Sequence, residues 1–307
     1  MLNKIVFFGN ERLGTGLGTE VPVLRALIAA GYQITAVVVA QNDSGKSRAK
    51  RTLEIVHVAE AHDIPVLSPP KLIEIKDQLS QLEATAAVLV AYGKMVPRSV
   101  IDIFPRGIIN IHPSLLPRHR GPTPIESVIL SGETETGVSL MRLEAKMDAG
   151  PVYAQRPVKI STDETKAALA DKLITIGKDM LIQYLPGILD GSLQPAAQDS
   201  AKASYDKLIE KADGLMDFQK TANQLDREVR AFAGWPRSRA NIGTTEVIVT
   251  KAHVIDSKGT AGTLWLENRQ IGIHAAEGTL IIDRLIPAGK KDMDSAAFLA
   301  GYKPTAS

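Results

Sequence analysis

"KIVFF" (residues 4–8) and "QITAVVVA" (33–40) are two apolar, β-branched runs, and the helical pattern "EVPVLRALIAAG" (20–31) lies between them. A strand, a helix and a second strand in this order predict a β–α–β unit with parallel strands. This spacing favours an α/β fold with a mostly parallel sheet covered by helices on both faces. Further strand-like runs follow at 84–92, 107–111, 135–144 and 151–160, and the alternation in the last of them is typical of an edge strand or an antiparallel pair.

The second half of the chain has a different pattern. A long helical run at 163–186 ends at "LPG", and a stretch rich in Pro, Gly, Ser, Ala and Gln follows, which indicates a linker. One helical segment at 221–234 then precedes short strands separated by glycine, a pattern that predicts a small β-barrel. Since 307 residues exceed one average domain, we expect domains at 1–187 and 207–307 with a linker at 188–206.

Composition excludes several classes of protein. The chain has no cysteine, which rules out a disulfide framework, a thiolate metal site and a catalytic thiol. No segment approaches the roughly 18 apolar residues of a membrane span, and the first apolar run is too short for a signal peptide, so we expect a cytoplasmic protein. The net charge of +2 neither demands nor excludes nucleic acid, because a local basic patch would suffice.

Glycines at 9, 14, 16 and 18 follow the first strand and suggest a dinucleotide fingerprint. The motif G-x-G-x-x-G needs a further glycine three residues after Gly16, and Thr19 stands there instead. No Gly-Lys-Ser/Thr follows to complete a phosphate-binding loop of the other common kind. A flexible turn between strand and helix is therefore favoured over nicotinamide chemistry.

The histidines outside the main motif give no metal site. His57 and His62 are not spaced to share one face of a helix as a zinc pair would, and His253 and His274 lie in predicted strands. All four are predicted to be surface or core residues, and no metal is expected. His119 lies in a proline-rich loop, where contact with substrate and simple exposure to solvent are both possible.

Two polar residues at the end of a buried strand form the main motif, "INIHPSLLPRHRGPTPIE" (109–126). Asn110 and His112 are two apart, so their side chains project from the same face of the strand. A buried amide without partners costs a few kcal/mol, and such an amide usually belongs to a site or a network. Asp148 precedes the turn Gly150–Pro151, which could aim its carboxylate at the pair. A catalytic trio and structural roles, including a turn cap for Asp148, both fit these residue types.

Longer motifs carry a family resemblance. "NIHPSLLPRHRGPTPI" (110–125), "GVSLMRLEAKMDAGPVYAQ" (137–155) and "VLVAYGKMVP" (88–97) resemble the folate-dependent formyltransferases. "LDREVRAFAGWPRSRA" (225–240) and "PAGKKDMDSAAFLAG" (287–301) resemble the C-terminal domain of those members that act on methionyl initiator tRNA. Two features depart from the family: the turn after the first strand is longer than usual, and His119 stands where a tryptophan is often found.

The resemblance implies a Rossmann-like catalytic domain followed by an OB-like, tRNA-binding barrel. It also implies formyl transfer from 10-formyltetrahydrofolate to the α-amino group of methionyl initiator tRNA, with Asn110, His112 and Asp148 as catalytic residues. We further expect a monomer that does not associate with a membrane. The implied folate-binding residues are Tyr92, Gly93, Lys94, Met95, Val96, Ser114, Leu115, Leu116, Pro117 and Met147. The implied tRNA-binding residues are Lys46, Arg48, Lys50, Arg51, Arg237 and Arg239, of which the first four lie in a basic loop that residue types alone would assign to solvent.

Acyl transfer to an amine explains the choice of residues. An unperturbed α-amino group has a pKa of about 8, so a fraction of the amine is neutral at pH 7 and can attack directly. The reaction therefore needs no covalent enzyme intermediate. We expect Asn110 to donate an N–H to the oxyanion, His112 to hydrogen-bond there or relay the proton, and Asp148 to orient the imidazole. One rival is formyl transfer to a sugar-nucleotide amine by the same trio. The other is a non-enzymatic RNA-binding module, which would leave the trio without a purpose.

Overall fold

A computed structural model describes residues 4–10, 12–13, 17–18, 20–40 and 53–304. The four residues of the predicted basic loop, Lys46, Arg48, Lys50 and Arg51, lie outside these ranges. The chain divides into two compact units. The first comprises Met1–Pro124, Glu135–Lys159 and Ala170–Lys207, and the second comprises Ile125–Thr134, Ile160–Leu169 and Leu208–Ser307. The predicted domain limits stay a prediction.

The first unit contains, within the described residues, a seven-stranded sheet of order β5-β4-β1-β6-β7-β8-β9. Its first five strands in this order run parallel, while β8 is antiparallel to β7 and β9 is antiparallel to β8 at the edge. A separate antiparallel pair, β2 and β3, lies in the glycine-rich turn. The strands are β1 (Lys4–Gly9), β2 (Arg12–Leu13), β3 (Leu17–Gly18), β4 (Gln33–Val39), β5 (Val66–Leu67), β6 (Ala86–Val90), β7 (Ile108–His112), β8 (Glu135–Arg142) and β9 (Val152–Lys159).

Helices connect these strands. The helix of the predicted β–α–β unit begins with Pro22, where a missing N–H costs nothing, and buries Val23, Leu24 and Leu27. One core cluster packs Phe8 with apolar side chains from β4, β6 and the segments that follow β6. The helices up to this point of the chain are α1 (Pro22–Ala29), α2 (Glu54–Glu60), α3 (Lys76–Gln81), α4 (Arg98–Ile101), α5 (Pro124–Ser131) and α6 (Lys166–Asp190), with a 3₁₀ turn at Leu72–Ile75.

The predicted end of the long helix is wrong, because α6 continues through Pro186 to Asp190. A proline inside a helix costs about 3 kcal/mol. The last turn buries Ile188 and Leu189, each 2% exposed, and burial of two such side chains contributes about 3–6 kcal/mol. Arg106 also donates to the carbonyl oxygens of Leu189 and Asp190. Burial and this side-chain cap therefore outweigh the proline.

The second unit contains an antiparallel sheet of order β10-β11-β14-β13-β12, with β15 paired to β14. A capping box formed by Thr221 and Gln224 begins α7 within the predicted helical segment. The elements are α7 (Ala222–Ala231), β10 (Ser238–Ile242), β11 (Thr245–Ile255), β12 (Leu264–Glu267), β13 (Gln270–His274), β14 (Thr279–Pro287), β15 (Met293–Asp294) and α8 (Ser295–Gly301), with a 3₁₀ turn at Lys211–Gly214. Another 3₁₀ turn, Ser200–Lys202, lies in the first unit after α6. The fold class is confirmed: a mostly parallel, Rossmann-like α/β sheet and a C-terminal, OB-like antiparallel β domain.

Two observations bear on membranes and metals. In the part of the chain that the structure describes, no helix has the length and apolar character needed to cross a bilayer. Among the same residues, no group of three or more His, Asp or Glu side chains is placed to hold a metal ion.

Candidate active site

The polar face of β7 supplies two members of the predicted trio. Asn110 and His112 are buried, with 6% and 5% of their surface exposed. Asn110 lies opposite Leu89 of β6 and Met141 of β8, and His112 lies opposite Ser139. Because β6 and β7 are parallel, their carboxyl ends open at the same edge of the sheet, where ligand sites form in folds of this kind.

The third member, Asp148, lies in the turn between β8 and β9. Its Oδ1 is 3.8 Å from Nδ1 of His112, and the two side chains are only 14% and 6% exposed. Its Oδ2 accepts a hydrogen bond of 2.8 Å from the main-chain N–H of Gly121. The structure therefore brings together an acid and an imidazole from positions that are far apart in the sequence. The accepted N–H is likewise remote, which distinguishes this bond from a local turn cap.

Both ring nitrogens of His112 face acceptors. Nε2 lies 2.9 Å from the carbonyl oxygen of His119, and Nδ1 faces the Asp148 carboxylate. A neutral imidazole carries one N–H and can donate in only one direction, whereas the protonated ring donates in both. A neutral His112 can therefore donate to only one of these two acceptors at a time. The gap of 3.8 Å is longer than a hydrogen bond, so Nδ1 is the nitrogen that is less firmly held.

Hydrogen bonds brace the proline-rich loop that follows β7. Ser139 of β8 donates to the carbonyl oxygen of Ser114 at 2.6 Å and accepts from the N–H of Leu116 at 3.1 Å. Gln155 of β9 donates to the carbonyl oxygen of Leu116 at 2.8 Å. Sequence reasoning missed Ser139 and Gln155, although both lie within the stretch that carries the family resemblance. Their positions on adjacent strands were the available signal.

The predicted folate-binding residues fall into two groups. Gly93, Lys94, Met95 and Met147 are exposed, and Leu115 and Pro117 are partly exposed. The other four are buried, namely Tyr92, Val96, Ser114 and Leu116.

The buried group has internal partners. The ring of Tyr92 packs edge-on against Phe8, and burial raises the pKa of its hydroxyl to about 12. Ser114 donates to the carbonyl oxygen of Arg118 at 2.8 Å. These buried side chains therefore stabilise the loops after β6 and β7 through contacts inside the protein.

Two of the predicted tRNA-binding residues are described, and they differ. Arg237 is exposed, next to Trp235, which is 40% exposed. Arg239 is partly buried, where its guanidinium donates to the carbonyl oxygen of Lys211 at 2.8 Å. Its Nε is buried without a hydrogen-bond partner among the described residues. Arg237 is thus better placed for a phosphate than Arg239.

The remaining histidines are not members of the trio, although the main-chain oxygen of His119 contacts His112. His57, His62 and His253 are exposed, and His274 is buried with Nδ1 2.7 Å from the hydroxyl of Thr279. His119 does not face solvent freely, because its ring is 12% exposed and pairs with Asp206 at 3.1 Å.

A cavity of about 420 Å³ lies at the amino end of β7, the end opposite His112. Its lining includes the arginines Arg98, Arg106 and Arg142 together with Tyr153. Arg98 pairs with Asp102, and Arg106 caps α6. The cavity contains no member of the trio, and two of its three arginines, Arg98 and Arg106, have structural partners.

Two family models match the sequence: "Formyl transferase" over residues 6–185 and "Formyl transferase, C-terminal domain" over residues 208–303. The chain therefore belongs to the formyl transferase family. The methionyl-tRNA formyltransferase of Methylococcus capsulatus is 37% identical over 304 residues, which cover 97% of each chain. That of Pelobacter propionicus is 35% identical over 303 residues, covering 97% of this chain and 93% of the relative.

Solved structures support the same fold. An N-formyltransferase of Helicobacter canadensis, in complex with folinic acid and dTDP-3-aminofucose, matches with a TM-score of 0.69 and 19% identity over 92% of this chain and 98% of that one. HypX of Aquifex aeolicus in complex with tetrahydrofolic acid matches with a TM-score of 0.65 and 17% identity over 96% of this chain. This chain spans about half of HypX, 46% of its length.

Proposed function

We propose that this protein transfers a formyl group from 10-formyltetrahydrofolate to the α-amino group of methionyl initiator tRNA, giving formylmethionyl-tRNA for translation initiation. Methionyl-tRNA formyltransferases with 33–37% identity over nearly the whole chain support this acceptor. The observation that carries the chemistry is the approach of Asp148 Oδ1 to 3.8 Å from His112 Nδ1, on the face of β7 that also holds the buried amide of Asn110.

Asn110 stabilises the charge that develops on the formyl oxygen. Attack by an amine makes that oxygen negative, and a fixed N–H donor in a site with little water stabilises it strongly. The Asn110 side chain is held on a buried strand, so it needs little reorganisation when the charge appears. The second donor in this proposal is the imidazole of His112.

His112 takes up the proton that the attacking nitrogen loses. It returns that proton to the folate nitrogen as the bond between this nitrogen and the formyl carbon breaks, so that tetrahydrofolate is the leaving group. Nε2 is engaged by the carbonyl oxygen of His119, so Nδ1, which faces the Asp148 carboxylate at 3.8 Å, is the nitrogen left to take up the proton. Asp148 stabilises the protonated ring and fixes its orientation, and Gly121 in turn fixes the carboxylate. The trio therefore acts by general acid–base and electrostatic catalysis without a covalent enzyme intermediate.

The donor would bind at the loops that follow β6 and β7. Met95 and Met147 are large apolar side chains with 62% and 45% of their surface exposed. A flat ring system would cover such side chains favourably, since the methionine thioether packs well against aromatic rings. Gly93 and Lys94 are exposed residues on the same loop as Met95, and their main-chain groups could supply hydrogen bonds. The residues present therefore fit a folate. When bound, the folate would supply an activated formyl group.

On the acceptor side we propose that the basic loop and Arg237 contact phosphates of the tRNA. The loop residues are Lys46, Arg48, Lys50 and Arg51. Arg239 makes a weaker contribution, because it is partly buried, whereas Arg237 is exposed. We also keep the division into a catalytic domain at 1–187, a linker at 188–206 and a tRNA-binding domain at 207–307, and we expect a monomer.

A side-by-side assay tests the acceptor. Purified protein is given 10-formyltetrahydrofolate with either methionyl initiator tRNA or an amino-sugar nucleotide, and formylated product is measured. We expect formylation of the tRNA alone, because the solved sugar formyltransferases share only 14–19% identity with this chain. Formylation of the sugar alone would overturn the assignment and favour the rival activity.

A further inference from the structure

Residues 196–207, which we name the strap, follow α6 and pair with the loop after β7. The N–H of Arg120 donates to the carbonyl oxygen of Ser204 at 2.9 Å, and the N–H of Asp206 donates back to that of Arg120 at 2.7 Å. Ala196 exchanges two hydrogen bonds of 2.8 Å with Val152 of β9. Although its composition is typical of a linker, the strap is bonded at both ends to β9 and to the loops that carry the candidate active site.

Gln198 of the strap links a buried arginine to the turn that carries Asp148. Its Nε2 donates to the carbonyl oxygens of Asp148 and Gly150 at 2.8 and 2.6 Å. Its Oε1 accepts from Nη2 and Nε of Arg120 at 2.7 and 3.2 Å. Arg120 is only 1% exposed and also donates to the hydroxyl of Tyr205. An amide suits this place because it donates at one end and accepts at the other.

These bonds hold the main chain of Asp148 in a conformation that residues other than glycine rarely adopt. Its φ is 46°, in the left-handed region, where a residue other than glycine needs support from its surroundings. Gln198 fixes the main chain of the turn, and the N–H of Gly121 fixes Oδ2. The remaining oxygen, Oδ1, is then directed at His112.

The strap also holds the other side of the imidazole. His119, whose carbonyl oxygen accepts from Nε2 of His112, has a φ of 56°. Its N–H donates to the hydroxyl of Ser204 at 2.8 Å, and its ring pairs with Asp206. Both partners of the His112 ring, a carboxylate and a carbonyl oxygen, are therefore supported by the same twelve-residue stretch.

We propose that the strap positions the catalytic imidazole and its carboxylate, and that Gln198 is the positioning residue that acts through Asp148. This inference rests on the proposed function, because it assigns the strap a role in that reaction. Gly121 permits the strap to lie close to the loop after β7. Its φ is 117°, and a Cβ there would lie 2.8 Å from the carbonyl oxygen of Asp206 in the strap.

The test replaces Gln198 in the full-length protein and measures formylation of methionyl-tRNA. Gln198→Ala removes both ends of the link, whereas Gln198→Glu keeps an acceptor for Arg120 but cannot donate to the two carbonyls. We expect kcat to fall about 10- to 100-fold in both variants, the loss typical of reacting groups displaced by about 1 Å, with KM nearly unchanged. Gln194→Ala is the matched control, because among the described residues that glutamine donates to the carbonyl oxygen of Gly191 and to no group of the trio.

A double-mutant cycle separates positioning from a general structural role. In an Asp148→Asn background, Gln198→Ala should lower kcat little further, because the group through which it acts is already disabled. Additive losses, or full activity of both Gln198 variants beside an impaired Asp148→Asn enzyme, would overturn the strap inference and leave the proposed function intact. A parent protein without formyl-transfer activity would overturn both. If Gln198→Ala does not fold, Gln198→Glu decides.

Discussion

Asn110 is an amide among aliphatic neighbours on a fully buried strand. Replacing it with alanine removes the donor and leaves the strand pairing, which uses main-chain atoms. We expect Asn110→Ala to lower kcat about 10²- to 10³-fold, the usual loss of one oxyanion donor. Folate affinity, measured by fluorescence titration, should stay near that of the parent. Asn110→Asp, similar in shape but lacking the N–H, should lose as much, and a parent rate in either variant would contradict the role.

Asp148 differs from a simple turn cap by having two directed oxygens. Asp148→Asn can still accept from Gly121, but it cannot offset the charge of a protonated ring. We expect kcat to fall roughly 10³- to 10⁴-fold, as for the orienting acid of a catalytic triad. Steady-state kinetics with a thermal unfolding curve for each protein will check this. An active Asp148→Asn enzyme would reduce Asp148 to a structural acceptor.

Sequence reasoning at the residue scale reached the side chains but not all of their partners. Asn110 and His112 were accessible from their spacing on one strand, and Asp148 from its turn. The acceptor for Nε2 of His112 is the main-chain oxygen of His119, and a main-chain contact cannot be predicted from the type of residue. Gln198 lies 50 residues from Asp148 in a stretch of linker-like composition, so its contact depends on the tertiary fold.

At the scale of elements, a buried ion pair links α5 and α6 inside the second unit. Lys166 Nζ lies 3.6 Å from Glu126 Oε1, and both side chains are 2% exposed. Burial lowers the pKa of Lys166, and Glu126 opposes that effect. Lys166 also donates to the carbonyl oxygen of Trp235. Removing one partner of such a pair leaves an uncompensated charge.

We expect Glu126→Gln to lower the free energy of unfolding by about 3–5 kcal/mol at pH 7. The loss should shrink as pH rises towards 10.5. Without Glu126, which raises the pKa of Lys166, the folded variant holds the Lys166 proton less tightly than the folded parent does, and the difference fades once the lysine is neutral in the folded and unfolded chains. Urea unfolding at several pH values measures both effects. Asp102→Asn, in the exposed pair with Arg98, is the control and should change stability little. Equal losses in the two variants would contradict the argument.

Element types were predictable from local pattern, and element ends were not. The edge strand β9 was anticipated by its alternation, and its antiparallel pairing with β8 is confirmed. The end of α6 was missed because the burial of Ile188 and Leu189 and the cap by Arg106 are tertiary effects. A local rule about proline cannot include them.

At the scale of the whole molecule, the net charge of +2 cannot attract a tRNA by itself. Binding must depend on a local cluster of cations, for which the loop at 42–51 is the candidate. We expect replacement of Lys46, Arg48, Lys50 and Arg51 by neutral residues to raise KM for tRNA and to reduce its dependence on salt, because fewer counterions are released on binding. Initial rates at a series of salt concentrations measure both. An unchanged KM at moderate salt would remove the loop from the interface.

The overall architecture followed from the order of the elements, since repeated β–α–β spacing admits few sheets. The order of the strands did not follow. A seven-strand sheet with two antiparallel strands after β7 depends on long-range pairing, which a one-dimensional pattern does not encode. Function was reached through the resemblance carried by the motifs, and the family matches confirm it.

The contact that His119 makes with Nε2 of His112 is through its main-chain carbonyl oxygen, so side-chain mutagenesis cannot test it directly. All twenty amino acids carry that oxygen, so a saturation library at position 119 never deletes it. Among the substitutions, the φ near 56° should favour glycine and asparagine, although they lose the pairing of the His119 ring with Asp206. A map of tolerated side chains would thus report this backbone preference and would not reveal the role of the carbonyl oxygen.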